Sequence, residues 1–521
     1  MIMKMMKKAV ALAMATMMMV SCVGCVSGSK DAKVHADNGG KPVEIAYWNS
    51  GLGTEFLDAI IEQYNAKQSD WYVYYNASAD VNALKSTYGM EDVDTVDLYM
   101  VTKMYKTEDM AMLDDVLDST AEGETKTIKE KMDASYLEYE KSKDGHYYSL
   151  TWGGGAVSML YNKALFDKVG ITQLPRTTNE LGVVCDTLLE AGATPLTHFR
   201  GEELSGYWTY LMDVWYAQYE GFDYFMNNFY GCTDENGNSP SQAVLAKKDG
   251  RYQILKAMEK FITPEYLQNG ANSQNHISAQ TSFLNEDVGM MVNGSWVSNE
   301  MKNSGGTENF GVMKAPVISS ITDHLNTIKN DTQLRNLISA IDTVTDGEAQ
   351  LSDYQSGDCY VVNGMTVSKS DWERVSAARN MCYANYAEHS FIIPKYSDAI
   401  DGAKAFLTYF YSDEAQKIYS DTLHIGLPIS LAEGEISTEG WSTFEKEMHE
   451  VFQKTETMIS IGISSKHEIF AFGGATPYAF YNFIELYGAN NATDRVNADQ
   501  AWERISDIID VNYKDWLSNI Q

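Results

Sequence analysis

The sequence predicts an α/β fold divided into at least two domains, and three observations lead to this prediction. Short apolar segments over 43–48, 71–75 and 96–101 have the residue pattern of strands. Helical periodicity that begins near residues 54 and 82 separates these segments, and such alternation is typical of βαβ units in a sheet with parallel strands. A chain of 521 residues is also too long for one ordinary hydrophobic core.

Residues 1–21 have the pattern of a secretory signal peptide. Lys4, Lys7 and Lys8 precede an uncharged, apolar run over 9–20. This run is too short to span a bilayer as a permanent helix. We therefore expect the protein to leave the cytoplasm.

The cysteine that follows this leader predicts a membrane anchor. Cys22 comes directly after a small residue and resembles the cysteine of a bacterial lipoprotein box. We predict that Cys22 is lipidated and becomes the mature N-terminus, with Cys25 as the alternative. The diacylglyceryl group of such a cysteine carries more than one acyl chain, which is enough for stable anchoring. Residues 22–41 are small and polar, so we expect a flexible tether.

The composition excludes some partners. The formal net charge is −32, and because the leader contributes the three lysines named above and no acid, the mature chain carries −35. A strongly acidic surface repels phosphate backbones and anionic lipid headgroups, which argues against a nucleic-acid partner. The chain also has 33 Tyr and 10 Trp, which suit either sugar binding or an aromatic core.

No motif in the sequence points to catalysis. There is no Gly-x-Ser-x-Gly, no His-Glu-x-x-His and no paired Cys-x-x-Cys. The four cysteines of the body are widely scattered, so we expect mostly buried thiols: Cys185, Cys232, Cys359 and Cys382. The three successive glycines Gly153 to Gly155 predict a hinge or a point of close backbone approach. A phosphate loop is the alternative, but its Gly-Lys-Ser/Thr is missing. We expect no enzyme activity, no cofactor and no metal.

Several segments in chain order carry a resemblance to a known family. Tyr161-Asn162-Lys163 is followed by Leu174-Pro175, and a later helix and strand lead into Asn293-Gly294-Ser295-Trp296. Ala315-Pro316 and the helix pair over 403–416 come next. Together they resemble bacterial extracellular solute-binding proteins of ABC importers, the group that contains maltose-binding protein.

This resemblance implies a fold of two lobes with a ligand cleft and a hinge between them. Each lobe would be a mixed, mostly parallel sheet flanked by helices. Lobe one would hold residues 42–155 and 308–432, and lobe two residues 156–307 and 433–521. We expect residues 319–360 to be a surface insertion, with helical periodicity over 332–341, and residues 498–520 to form an amphipathic closing helix.

A sugar site needs aromatic platforms and a few converging polar groups. The tyrosine at the start of a helix and the tryptophan of Asn-Gly-x-Trp stack on sugar rings in this family, and Tyr207 and Trp296 occupy those places. Met104 and Gly155 stand where maltose-binding relatives have carboxylates, so the hydroxyl groups need other partners. The full set of candidate ligand-binding residues is Trp48, Asn49, Glu55, Asp80, Trp152, Tyr207, Trp208, Trp296 and Tyr478.

The resemblance and the leader together predict a monomeric lipoprotein on the outer face of the cytoplasmic membrane. It would capture a carbohydrate and deliver it to the permease subunits of an ABC transporter. Two alternatives stay open: a cell-surface lipoprotein that binds polysaccharide for adhesion, and, with less support, a secreted glycan-acting enzyme.

Overall fold

The computed structural model describes most of the body of the chain, and the leader, Cys22, Cys25, Met104 and Tyr478 lie outside the described residues. The described residues are 38–88, 96–102, 107–142, 144–199, 207–285, 288–384, 386, 389–427, 429–432, 434, 436–459 and 495–519.

The described strands, in chain order, are β1 (Lys41–Trp48), β2 (Trp71–Ser78), β3 (Val96–Val101), β4 (Leu150–Thr151), β5 (Ala156–Asn162), β6 (Thr194–Leu196), β7 (Val288–Gly294), β8 (Phe310–Met313), β9 (Gln355–Ser356), β10 (Cys359–Val362), β11 (Met365–Ser368), β12 (Met381–Ala384), β13 (Ser390–Ile392) and β14 (Thr457–Ile459).

The described α-helices are α1 (Glu55–Lys67), α2 (Val81–Ser86), α3 (Asp114–Leu117), α4 (Ile128–Lys131), α5 (Ala134–Glu140), α6 (Lys163–Val169), α7 (Thr178–Glu190), α8 (Trp208–Glu220), α9 (Gln242–Leu245), α10 (Asp249–Phe261), α11 (His276–Leu284), α12 (Val297–Met301), α13 (Asp331–Thr345), α14 (Lys369–Arg379), α15 (Ile400–Phe410), α16 (Asp413–Leu423), α17 (Thr443–Gln453) and α18 (Ala498–Asn519). A π-helix covers Tyr224–Tyr230, and 3₁₀ turns cover Thr107–Asp109, Ala271–Ser273, Ser319–His324 and Leu351–Asp353.

Two main sheets organise the molecule, which confirms the α/β prediction. The first has the strand order β2-β1-β3-β13-β4, and the second has the order β14-β12-β5-β7-β6, with β8 also paired to β5. In the first sheet β1 runs parallel to β2 and β3, while β13 is antiparallel to β3 and β4. In the described part of the second sheet, antiparallel pairs outnumber parallel ones. Both sheets are therefore mixed, but the expectation of mostly parallel strands is wrong for the second.

The first βαβ unit follows the sequence pattern closely. Phe56, Leu57, Ile60 and Ile61 of α1 are buried against the sheet, as the helical period predicts. Thr54 precedes α1 and makes no side-chain capping hydrogen bond.

The tether prediction is too long at its C-terminal end. The Asn38 side-chain amide donates to the carbonyl oxygens of Asn65, Gln68 and Trp71. Lys41 already lies in β1, so residues 38–41 belong to the folded body.

Strand β8 and the segments after it, as far as β12, lie in the second lobe. β8 pairs with β5, and Phe310 packs against Phe283 and Phe444 in the second lobe's core. β12 also pairs with β5, and the chain rejoins the first sheet only at β13. Assignment of 308–432 to lobe one is thus wrong for residues 310–384, because the apolar side chains of these strands complete the second core.

The segments on both sides of the expected insertion pack onto α8 of the second lobe, as does its first turn, Ser319–His324. Trp215 Nε1 donates to the Pro316 carbonyl oxygen at 2.9 Å, and Gln218 accepts from Ile318 N and donates to Ala378 O, both at 2.9 Å. The helical prediction for 332–341 is confirmed by α13, and β9, β10 and β11 form a separate small sheet. The segment over residues 310–384 therefore packs against α8 and is hydrogen-bonded to it.

The closing helix is confirmed as α18, which packs on α10 of the second lobe. Its apolar stripe is buried, as the amphipathic pattern predicts, at Trp502, Ile505, Ile509 and Trp516. None of the helices within the described ranges is long and apolar enough to traverse a bilayer.

Candidate ligand-binding cleft

The chain passes between the two sheets three times within the described ranges. The first passage covers residues 152–155 between β4 and β5, and the second joins β12 to β13. The third lies between α16, which packs on α1 of the first lobe, and α17, which packs on β8 of the second. The glycine run therefore lies where a hinge is expected.

Glycine is required within the first passage by geometry. Gly154 has a φ of 123°, a region that favours glycine. A Cβ on Gly155 would lie 1.8 Å from Ser295 Oγ. The first passage also binds the second, because Trp152 N donates to the His389 carbonyl oxygen at 2.9 Å.

Buried tyrosine hydroxyls hold the backbone at the ends of these passages. Thr151 N donates to Tyr136 Oη, and Tyr411 Oη donates to the Thr151 carbonyl oxygen. Tyr386 Oη donates to the Gly426 carbonyl oxygen at 2.7 Å, which connects the second passage to the third. Burial raises the pKa of Tyr136, Tyr386 and Tyr411 well above the usual value, so all three stay neutral hydrogen-bonding groups.

The second lobe presents a group of contacting rings, which we call the aromatic cluster: Phe199, Tyr207, Tyr210, Trp296 and Tyr383. Tyr207 lies at its centre, with its ring centroid 4.8 Å from Phe199, 5.5 Å from Tyr210 and 5.4 Å from Trp296. Tyr210 also contacts Tyr383 at 4.4 Å. These residues come from β12, the segment after β6, the start of α8 and the turn after β7. Strand ends of this lobe thus converge on one apolar surface.

Tyr207 reaches the centre of the cluster through its backbone. It precedes α8 with a φ of 61°, an uncommon conformation for a residue other than glycine. The Trp296 ring lies directly over Gly294, where a Cβ would approach within 2.1 Å. Tyr207 is half-buried, while Trp296 is only 7% exposed.

The first lobe contributes the loop after β1, which we call the β1 loop (residues 49–53). Trp48 precedes it and stacks on His389, with centroids 5.2 Å apart and the planes 13° from parallel. His389 Nε2 lies 3.1 Å from Ser50 Oγ, and Asn49 Oδ1 accepts from Gly53 N at 3.2 Å. This side of the cleft is therefore a hydrogen-bonded loop beside one stacked ring.

The β1 loop meets α12, the helix that follows Trp296. Asn299 Nδ2 donates to the Gly51 carbonyl oxygen. A Cβ on Gly51, whose φ is 88°, would lie 2.8 Å from Glu300 Oε1. Glu300 Oε2 accepts from Gln280 Nε2 at 2.7 Å. Burial raises the pKa of the Glu300 carboxyl, while Gln280 and the charge of His276 act in the opposite direction.

Two predicted ligand contacts are wrong, because their rings are core residues. Trp152 is 0% exposed and packs against Tyr47 and Phe56 of the first lobe. Trp208 is also 0% exposed and lies near Trp215. Trp152 directly precedes the glycine run and Trp208 directly follows Tyr207, but both side chains point into the core of a lobe.

The two predicted carboxylates have local partners. Asp80 is exposed and caps α2 by accepting from Asn82 N and Ala83 N at 3.0 and 2.9 Å. Glu55 is exposed and accepts from Thr54 N at 3.1 Å. Their role as ligand contacts, like that of Trp48, Asn49, Tyr207 and Trp296, stays a prediction.

Sequence reasoning missed several residues that border the cleft. Glu300 lies one helical turn after Trp296, and its backbone N–H donates to the Trp296 carbonyl oxygen at 3.1 Å, so helical spacing could have found it. No sequence pattern pointed to Tyr383 and His389. The family resemblance implied a second connection between the lobes at residues 307–308, whereas in the structure it joins β12 to β13.

The described residues offer little support for a metal site or a reactive cysteine. No group of three or more His, Cys, Asp or Glu there is arranged to hold a metal ion. The four cysteines of the body are free thiols, and burial raises the pKa of Cys232 to about 11 and of Cys382 to about 12.

Two α/β lobes joined by three passages define a two-lobe fold, with the aromatic cluster in the second lobe and the β1 loop in the first. Residues 97–322 match the family model described as Bacterial extracellular solute-binding protein. These residues, which make up less than half of the chain, are thus similar to the family that the motifs indicated.

Individual relatives are distant. A putative binding protein of Brucella abortus (strain 2308) is 26% identical over 174 residues, which are 33% of this chain and 38% of that protein. The chain therefore aligns with well under half the length of this curated relative.

Solved structures match over nearly the whole chain. The bacterial solute receptor AcbH, described with an exclusive preference for β-D-galactopyranose, gives a TM-score of 0.62 at 14% identity. The match covers 91% of this chain and 99% of AcbH. RafE in complex with raffinose gives 0.56 at 13% identity, covering 90% and 99% of the two chains. At such identities the likeness concerns the fold.

Proposed function

We propose that this protein is an extracellular carbohydrate receptor that closes its two lobes around a sugar and delivers it to an ABC importer. The observation that carries the proposal is the aromatic cluster of the second lobe, next to α12, whose Asn299 donates to the Gly51 carbonyl oxygen of the β1 loop. Sugar C–H groups pack on flat apolar rings, while hydroxyl groups need polar partners, which we expect the β1 loop to supply.

The structural neighbours support a sugar as the ligand. AcbH is described as a receptor for β-D-galactopyranose and RafE was solved with raffinose. The same fold at low identity allows other sugars, so we propose the class of ligand and not one compound. The family and fold are those of receptors without catalytic activity.

Location and delivery complete the proposal. We expect the leader to be removed and Cys22 to be lipidated, so that the monomeric receptor stays on the outer face of the cytoplasmic membrane. Closing both lobes around a sugar would create the surface that a permease recognises. An adhesion lipoprotein that holds polysaccharide would need no such closure.

The central experiment measures binding and closure together. Purified protein is titrated calorimetrically with β-D-galactopyranose and raffinose, and X-ray scattering is recorded with and without each sugar. We expect binding accompanied by a smaller radius of gyration, and a ligand at a hundred times its dissociation constant should stabilise the fold by about 2.7 kcal/mol. Binding without compaction would favour the adhesion role, and sugar cleavage during the titration would favour an enzyme.

A second experiment tests the anchor. Cys22→Ser should release the protein from the membrane fraction, while Cys25→Ser should leave it bound. Release by the Cys25 variant alone would move the lipidation site to that residue.

A further inference from the structure

Glu300 lies where the two walls of the cleft meet. It belongs to α12, which starts directly after Trp296 of the aromatic cluster, and its neighbour Asn299 donates to the Gly51 carbonyl oxygen of the β1 loop. Its own carboxylate approaches Gly51 so closely that a Cβ there would be 2.8 Å from Oε1. A ligand held between the aromatic cluster and the β1 loop would therefore lie beside this carboxylate.

The two oxygens of Glu300 have different surroundings. Oε2 accepts from Gln280 Nε2 at 2.7 Å, and Gln280 is itself fully buried in α11. This bond fixes the orientation of the carboxylate and leaves Oε1 on the side of the β1 loop. Glu300 is half-buried, so part of the residue stays accessible to solvent.

No cation neutralises this carboxylate directly. Among the described lysines and arginines none forms an ion pair with Glu300, and the nearby charge that lowers its pKa belongs to His276 on α11. A partly desolvated carboxylate without a cationic partner is unfavourable for the fold. Such groups are retained where binding uses them.

The other acids considered for the polar side of the site are already engaged. Asp80 caps α2 and Glu55 binds the backbone at Thr54. Both are exposed on the first lobe. Glu300, in contrast, lies on the helix that follows Trp296 of the aromatic cluster and reaches the β1 loop through Asn299.

We propose that Glu300 is a specificity-determining residue of the cleft, which accepts hydrogen bonds from hydroxyl groups of a neutral sugar seated on the aromatic cluster. This inference rests on the proposed function. A carboxylate accepts from hydroxyl groups through strong, charge-assisted bonds, and it repels a ligand carboxylate at the same place. The site should thus select neutral sugars against acidic ones of the same shape.

The experiment compares Glu300→Gln with the wild type and with Glu503→Gln, an exposed glutamate of α18 that serves as the matched control. Each protein is titrated with β-D-galactopyranose, raffinose and galacturonic acid. We expect Glu300→Gln to bind the neutral sugars about tenfold or more weakly, since a hydrogen bond to a charged group contributes about this factor or more. Its preference for neutral over acidic sugar should shrink, while Glu503→Gln should match the wild type.

The melting temperature without ligand gives an independent readout. A carboxylate kept for binding should be replaced by the isosteric amide with an equal or higher melting temperature, whereas one kept for packing should leave a less stable fold. Wild-type affinity and selectivity in Glu300→Gln, or a lower melting temperature with unchanged affinity, would overturn the inference.

Failure of the proposed function has a different signature. If the wild type binds none of the sugars, the carbohydrate proposal fails. The melting temperatures still decide on Glu300 in that case: a decrease in Glu300→Gln assigns it to packing, and an equal or higher value supports a binding role.

Discussion

The second lobe offers its side of the cleft through rings that pack on one another, whereas the first lobe offers a loop held by hydrogen bonds. The aromatic cluster draws on β12, the segments after β6 and β7, and the start of α8, and Pro316 and Ile318 are hydrogen-bonded to side chains of α8. The β1 loop lies beside the stacked rings of Trp48 and His389, and Tyr47 Oη donates to its Gly53 carbonyl oxygen. The comparison suggests that the second lobe supplies most of the binding energy and the first lobe mainly supplies closure.

The largest expected effect separates core rings from cleft rings. Trp152→Ala would leave a cavity beside Tyr47 and Phe56, so the free energy of unfolding should fall by about 3 to 5 kcal/mol in urea denaturation. Trp71→Ala, at a partly exposed position of the same lobe, should cost clearly less. If the Trp152→Ala protein is stable but no longer binds sugar, Trp152 is a ligand contact and not a core residue.

The next effect tests the aromatic wall. Tyr207→Ala removes the central ring, and truncation of such an anchor typically costs about 2 kcal/mol or more, which is roughly thirtyfold in affinity. Calorimetry should show this loss. Tyr252→Ala, a half-buried tyrosine of α10 in the same lobe, should bind as the wild type does. Equal affinities in the two variants would place the sugar elsewhere.

A smaller effect tests the contact between the walls. Gly51→Ala would drive a methyl group against Glu300 and so hold the lobes apart, and we expect affinity to fall about tenfold, equivalent to about 1.4 kcal/mol. Gly39→Ala is a matched control, because Gly39 also has a positive φ, of 80°, with nothing within 4 Å of the new Cβ. If both variants lose the same affinity, backbone strain and not the contact with Glu300 is responsible.

The smallest effect concerns the Trp48 ring beside the β1 loop. Trp48→Ala should weaken binding by about 1 kcal/mol, roughly fivefold, because the half-buried ring is already stacked on His389. A loss as large as that of Tyr207→Ala would make the two walls energetically equal and would break the comparison drawn above.

The sequence predicted elements whose pattern is local. The buried face of α1 follows from the spacing of Phe56, Ile60 and Tyr64, and the stripe of α18 from the same period. The motif resemblance predicted both Trp296 and Tyr207 as sugar-stacking rings, and the two rings contact each other. Their contact with a ligand stays a prediction.

The pairing of strands that are distant in the sequence could not be predicted from local residue patterns. The four residues of β8 read equally well as a strand of either lobe, and only its pairing to β5 decides. For the same reason Trp152 and Trp208 were misassigned, since the residue type does not tell which side of the backbone faces a core. Glu300 was overlooked because charge alone does not distinguish it among 72 acidic residues.

The side-by-side arrangement of the first two passages has a mechanical consequence. Thr151 Oγ1 bonds to the carbonyl oxygens of Gly153, Tyr386 and His389, and strand pairing continues on both sides, from β4–β13 in one lobe to β5–β12 in the other. These two passages thus form a short ribbon two chains wide, and two-stranded ribbons are strongly twisted, whereas sliding one chain past the other would break the cross-links. Within this pair of passages, twisting is therefore favoured over sliding.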